Sequence, residues 1–201
     1  MQHNNGDASV WKGLVAGLAG GLVASWTMNQ FQAAWTRAAE GFEKPHGAQS
    51  MQPSEGPNPN ETPDKGQGQG QALTQSNEQK ENQDDATVET AKVISKNVFG
   101  HELKESEKKS AGAAVHYAFG TVTGGLYGAM AEVAPQVTAG TGVPFGAIFW
   151  VVADEVTVPL LGLAKGPAAY PLSTHVYSLA SHLVYGASAE LTRRCVRRYV
   201  L

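Results

Sequence analysis

GLVAGLAGGLVASWTMNQFQAAWT, residues 13–36, contains no formally charged side chain and no proline. A helix needs about 20 residues to cross the hydrocarbon of a bilayer, and this run is long enough. Three more such runs follow. SAGAAVHYAFGTVTGGLYGAMA begins at Ser110; another extends from Gly142 to Ala164, interrupted only by Asp154 and Glu155; the last extends from Leu172 to Ala189 and stops at Glu190, Arg193 and Arg194. The sequence therefore predicts an all-α membrane protein with four transmembrane helices, at 13–36, 110–134, 142–164 and 172–192. An N-terminal tail, 1–12, and a basic C-terminal tail, 193–201, flank this four-helix bundle. The runs are rich in Gly and Ala, so their hydropathy is moderate, and a soluble all-helical bundle is the alternative. None of them carries the charged outer face that such a helix presents to water.

The charge distribution agrees. Mean hydropathy is −0.25 over the whole chain, which looks soluble. Yet of 33 Asp, Glu, Lys and Arg residues, 22 fall between Arg37 and Lys109, so the average hides a segregation that a soluble domain does not show. Residues 37–86 hold Pro45, Pro53, Pro57, Pro59 and Pro63, then GQGQGQ from Gly66 and ENQDD from Glu81. With few large apolar residues, this low-complexity loop buries too little surface to offset the entropy of ordering, and a disordered insertion between the first two spans is expected. Over 87–109, Val88, Ala91, Ile94, Val98 and Leu103 recur at helical spacing and predict an amphipathic helix leading into the second span. The single Cys195 excludes an internal disulfide framework, and the near-neutral charge offers no footprint for nucleic acid. Met1–Val10 lacks Lys and Arg, so the first run reads as a span and not as a cleavable signal.

The hydrophobic part contains an internal echo. Tyr127-Gly-Ala-Met-Ala-Glu132 near the end of the second span matches Tyr185-Gly-Ala-Ser-Ala-Glu190 near the end of the fourth, and Gly17, Gly21 and Asn29 share the spacing of Gly142, Gly146 and Asp154. A helical hairpin duplicated in tandem explains both, with the copies parallel about an axis along the membrane normal. Arg193, Arg194, Arg197 and Arg198, with Lys12, put both termini in the cytoplasm and the 37–109 insertion outside, in the periplasm of a double-membrane bacterium.

Two sets of residues carry the functional expectation. Gly13, Gly17 and Gly21, then Gly120, Gly124 and Gly128, then Gly142 and Gly146, are small-xxx-small faces through which helices pack closely in lipid, within one chain, in a homo-oligomer or in a larger membrane complex. Asn29, His116, Asp154, Glu155, His175 and His182 are polar groups at membrane depth, and Glu132 and Glu190 are carboxylates at the inner ends. Glu155 follows Asp154 and, on an α-helix, points about 100° away from it. One reading is a satisfied network, in which Asp154 bonds His182 or Asn29 and Glu190 pairs with Arg193 or Arg194. A second is a proton or ion path through Asp154 and His182. A third is axial ligation of haem b by His116 and His175. No metal-ligand spacing, phosphate loop or hydrolase signature is present, so no catalytic residue is assigned and a non-enzymatic role is expected.

The second half resembles the YagU-like family of bacterial inner-membrane proteins. The resemblance rests on His116 with Gly120, Ala131-Glu132-Val133 before Pro135, Gly142 and Gly146, Val158-Pro-Leu-Leu-Gly-Leu163, Pro171, His182-Leu-Val184, and Glu190 with Arg193-Arg194. It covers about residues 110–198 and, more weakly, the first span. It implies an inner-membrane location and a link to acid or envelope stress. The long insertion departs from the family pattern, as does Asp154-Glu155, which stands where a histidine-containing segment is expected.

Overall fold

The computed structural model describes residues 4–43 and 86–201, and among these residues the chain is mostly helical, with no strand. The bulk of the insertion, 44–85, lies outside the described residues. The chain divides into two units, Met1–Ala33 with Asp84–Leu201, and Ala34–Gln83. Of the second unit only the end of the first helix is described; every contact given below belongs to the first.

Five helices make up the described chain. They are α1, Asn4–Glu43; α2, Ala86–Phe99; α3, Glu105–Val133; α4, Val143–Trp150; and α5, Leu172–Tyr199. The first helix thus runs beyond Thr36 to Glu43. The amphipathic helix stops at Phe99, where Gly100 takes φ 65° and the His101 amide returns to Ser95 O, so Glu105–Lys109 belong to α3 instead. The Lys104 amide donates to Glu107 Oε2 at 2.9 Å at the start of α3. That bond, with His101 beside it, holds the Glu107 carboxyl below its ordinary range.

α1 and α3 run antiparallel, and glycine sets their distance. A Cβ added to Gly13, Gly17 or Gly21 would fall within 3 Å of the backbone oxygen of Gly128, Gly124 or Gly120 respectively. α4 and α5 close in the same way, since a Cβ on Gly142 would meet Gly186 O and one on Gly146 would meet His182 O. Gly142 also takes φ 78° as the chain turns from Pro135–Gly142 into α4, a conformation that a residue with a Cβ resists. The glycine faces therefore meet within one chain.

α4 does not end at Trp150. It widens into a π turn, Val151–Thr157, and finishes with one α turn, Val158–Leu160. Pro159 supplies a cause: it has no amide hydrogen and its ring collides with the carbonyl four residues back, so a helix approaching it opens. The Val158 amide bonds Ala153 O, five residues back. Pro135–Leu160 is the one described stretch long and apolar enough to cross a membrane, with a mean hydropathy of 1.5 over its best window.

The packing is inverted relative to a water-soluble core. Most buried side chains are small or polar, among them Ala16, Ala24, Ala131, Ala153, Ala189, Ser25, Ser181, His182, Glu190 and Arg193, with Tyr127, Tyr185 and Met28 as the larger ones. Large apolar residues lie outside, among them Leu22, Trp26, Phe119, Leu126, Ile148, Val152 and Leu160. Between the helix pairs Phe145 stacks on Tyr127 at 4.2 Å, and Ala24, Met28, Tyr185 and Ala189 form the small apolar centre.

Candidate functional site

The two acidic residues, Asp154 and Glu155, lie within the π turn. On a regular α-helix Asp154 and Glu155 diverge by about 100°. In the wider turn both reach α5. Asp154 Oδ2 accepts the Ser178 hydroxyl at 2.5 Å and stands 3.8 Å from His182 Nδ1. His182 Nδ1 donates to Ser178 O at 2.9 Å, and Phe149 meets the imidazole edge-on. Serine, histidine and aspartate are all present here, but Ser178 donates to the carboxylate and not to a ring nitrogen, so the three lack the serine–histidine bond of a hydrolase triad.

One turn toward the Lys165–Pro171 link, His175 Nδ1 lies 2.7 Å from Glu155 Oε1 and Nε2 lies 3.1 Å from Pro167 O. Trp150 approaches the ring edge-on. A carbonyl oxygen only accepts, and so does an ionised carboxylate. Both contacts are hydrogen bonds only when the pair carries an additional proton, either as imidazolium with carboxylate or as neutral imidazole with carboxylic acid. Removing that proton sets a nitrogen lone pair against an oxygen lone pair in one of the two contacts. With both ring nitrogens engaged, His175 also has none left for an axial haem bond in this arrangement.

Asn29 does not join Asp154. Its Nδ2 donates to the Tyr117 hydroxyl at 3.1 Å, between α1 and α3. His116 packs edge-on against Tyr117, and its Nε2 is buried without a hydrogen-bond partner among the described residues, as is Ser25 Oγ, which packs onto the bare backbone of Gly120. No group of three or more His, Cys, Asp or Glu residues suited to a metal occurs among the described residues.

The inner-end carboxylates lie in one ionic cluster. Glu190 is fully buried and accepts the Tyr127 hydroxyl at 2.9 Å, Arg193 Nε at 2.7 Å and Arg194 Nε at 2.5 Å. Glu132 accepts the Ser9 hydroxyl and is bidentate with Arg197 at 2.8 and 3.0 Å. Those bonds hold Arg197, which lies beyond the apolar run, more firmly protonated.

Sequence reasoning missed Ser178, Tyr117, Tyr127 and the Pro167 carbonyl. A signal for Ser178 was present: His175, Ser178 and His182 stand at i, i+3 and i+7, one stripe of a helix. Nothing comparable marked Tyr117 or Pro167, whose partners are distant in sequence.

No curated protein and no solved structure matches the chain. Residues 77–191, more than half of it, match the family described as protein of unknown function, DUF1440. The match takes in α2 to α4 and α5 as far as Leu191, and with them Asp154, Glu155, Ser178, His175 and His182; α1 and the final arginines lie outside it. The chain belongs to the DUF1440 family of proteins of unknown function.

Proposed function

We propose that the chain is a non-enzymatic, four-span protein of the bacterial inner membrane that passes or buffers protons between α4 and α5. The observation that carries this reading is the Glu155–His175–Pro167 contact, whose two hydrogen bonds require a proton that the pair can exchange. Asp154, Ser178 and His182 continue a polar stripe along α5 toward the bundle centre, and ionisable groups at membrane depth mark proton and ion paths. A π turn in the most apolar helix fits a functional position as well.

Four spans are supported by the inverted packing and by helix length, since α3 has 29 residues and α5 has 28. A duplicated hairpin is supported by the contacts. Gly13 meets Gly128 O and Glu132, while Gly142 meets Gly186 O and Glu190. These contacts favour matching Gly13 with Gly142 and Gly17 with Gly146, one turn away from the match that the Asn29 and Asp154 spacing suggests. Lys12 donates to Leu201 O, which brings the basic ends together and suits cytoplasmic termini with the insertion in the periplasm. The YagU-like resemblance, with its link to acid or envelope stress, accords with a proton-handling role. An accessory subunit docking through its glycine faces is less well supported, because those faces are occupied within the chain.

The test is proton flux into vesicles holding the purified protein and an internal pH-sensitive dye. Asp154→Asn and Glu155→Gln should each slow the pH change at equal protein content and helicity. Wild-type flux no faster than that of empty vesicles, or variants as fast as wild type, would end the proposal.

A further inference from the structure

The opposite, basic end of the bundle carries a second site. Arg193, Arg194, Arg197 and Arg198, on the last two turns of α5, line an open cleft of about 350 Å³. Their only carboxylate partners among the described residues are Glu132 and Glu190, so four guanidinium groups meet two carboxylates and two positive charges remain unbalanced. Arg193 and Arg197 are fixed in place by those carboxylates. Arg194 spends one nitrogen on Glu190 and reaches Thr138 O at 3.3 Å with another, yet its side chain is half exposed. Arg198 lies over the Tyr199 ring, 5.4 Å from its centre.

We infer that this cleft binds the phosphate of an anionic phospholipid headgroup, with Arg194 and Arg198 as the contacting groups. Guanidinium forks match the oxygens of a phosphodiester, and basic pockets at helix ends on the cytoplasmic side of a membrane hold such headgroups. The neighbouring surface favours a lipid over free phosphate. Trp11, beside Lys12 in the first turns of α1, and Tyr199 are both exposed, as aromatic residues at a membrane interface are. Val133 and Leu191, one residue beyond Glu132 and Glu190, are exposed and apolar and offer a surface for an acyl chain. Free phosphate has no use for that surface.

The inference rests on the membrane reading, and two measurements separate them. The full chain, purified in neutral detergent, is titrated with phosphatidylglycerol or with phosphatidylcholine of equal chain length, and retained lipid is counted by native mass spectrometry. Phosphatidylglycerol should be retained preferentially. The Arg194→Gln/Arg198→Gln protein should lose about tenfold or more of that preference, at roughly 1 kcal/mol per basic residue near an anionic surface. Glu190 keeps Arg193 and Tyr127 in this variant, so helicity should be unchanged. Lys109→Gln, an exposed charge in the first turns of α3, should retain the lipid as wild type does. Equal retention of both lipids, or a preference surviving in the double variant, would overturn the assignment. Inorganic phosphate that raises the unfolding temperature as much as phosphatidylglycerol would transfer the site to a soluble anion. The second measurement is alkaline carbonate extraction of membranes: a resistant protein without lipid preference refutes the headgroup site alone, whereas a released protein overturns the membrane reading and the site together.

Discussion

Gly17 on α1 and Gly146 on α4 do the same work. Each brings bare backbone against a carbonyl of its antiparallel partner, Gly124 O for one and His182 O for the other. Each helix pair ends in a carboxylate, Glu132 or Glu190, tied to arginines of α5. The pairs differ in what lies between. α1–α3 is bridged by Asn29 and Tyr117, neutral groups, with Ser25 resting on Gly120. α4–α5 is bridged by Asp154 with Ser178 and His182, and by Glu155 with His175. One closing device therefore supports a neutral ladder and an ionisable one. Structure alone requires only the first kind, since an ionisable group at depth is costly and a neutral bridge would join the helices as well.

The strongest way to break the comparison is at the carboxylates. Glu190→Ala would leave the Arg193 guanidinium and the Tyr127 hydroxyl buried without their acceptor, at a cost of about 3–5 kcal/mol. Glu132→Ala should cost less, because Arg197 is more exposed and water can replace the lost partner. Thermal unfolding in detergent measures both. Equal losses would mean that the two ends are equivalent and that the burial of Glu190 has no special weight.

The glycine contacts come next. A Cβ on Gly124 would meet Gly17 O, Gly21 Cα and Gly21 N, all within 3 Å, whereas one on Gly146 meets mainly the His182 carbonyl. Alanine at either position should destabilise by about 1–3 kcal/mol, with Gly124→Ala the larger loss. Gly166→Ala, whose Cβ would meet nothing within 4 Å, should leave the unfolding temperature unchanged. A Gly124→Ala protein as stable as wild type would show that α1 and α3 are not zipped as closely as α4 and α5.

How much of this was legible in the sequence depends on how local each contact is. Glu190 with Arg193 and Arg194 could be read from spacings of three and four residues, because a helix places those residues on one face. The glycine faces could be read as faces, but their partners could not, since pairing Gly17 with Gly124 spans 107 positions and periodicity carries no register between helices. The π turn was hidden for a different reason. Pro159 was visible, but reading its effect on Glu155, four residues earlier, requires knowing that the helix continues through it. A helix broken at Pro159 would have left Glu155 at a frayed end.

The ladders themselves allow the finest discrimination, because they differ in what a change of pH does to them. Tyr117→Phe removes the acceptor of Asn29 Nδ2 and should cost about 0.5–1.5 kcal/mol. That cost should be the same across about pH 5 to 8, where neither an amide nor a phenol titrates. Glu155→Gln is a different kind of change. Its amide can donate to His175 Nδ1 while Nε2–H donates to Pro167 O, so both contacts persist around a neutral ring with no additional proton. In the wild type the folded arrangement holds that proton, so its stability is greatest at the acidic end of this range and declines as pH rises. Glu155→Gln should flatten the decline, and Tyr117→Phe should shift the curve down without changing its slope. Unfolding temperatures at several pH values give both slopes. If Glu155→Gln keeps the wild-type slope, the Glu155–His175 contact exchanges no proton in this range, and the two ladders differ in composition but not in chemistry.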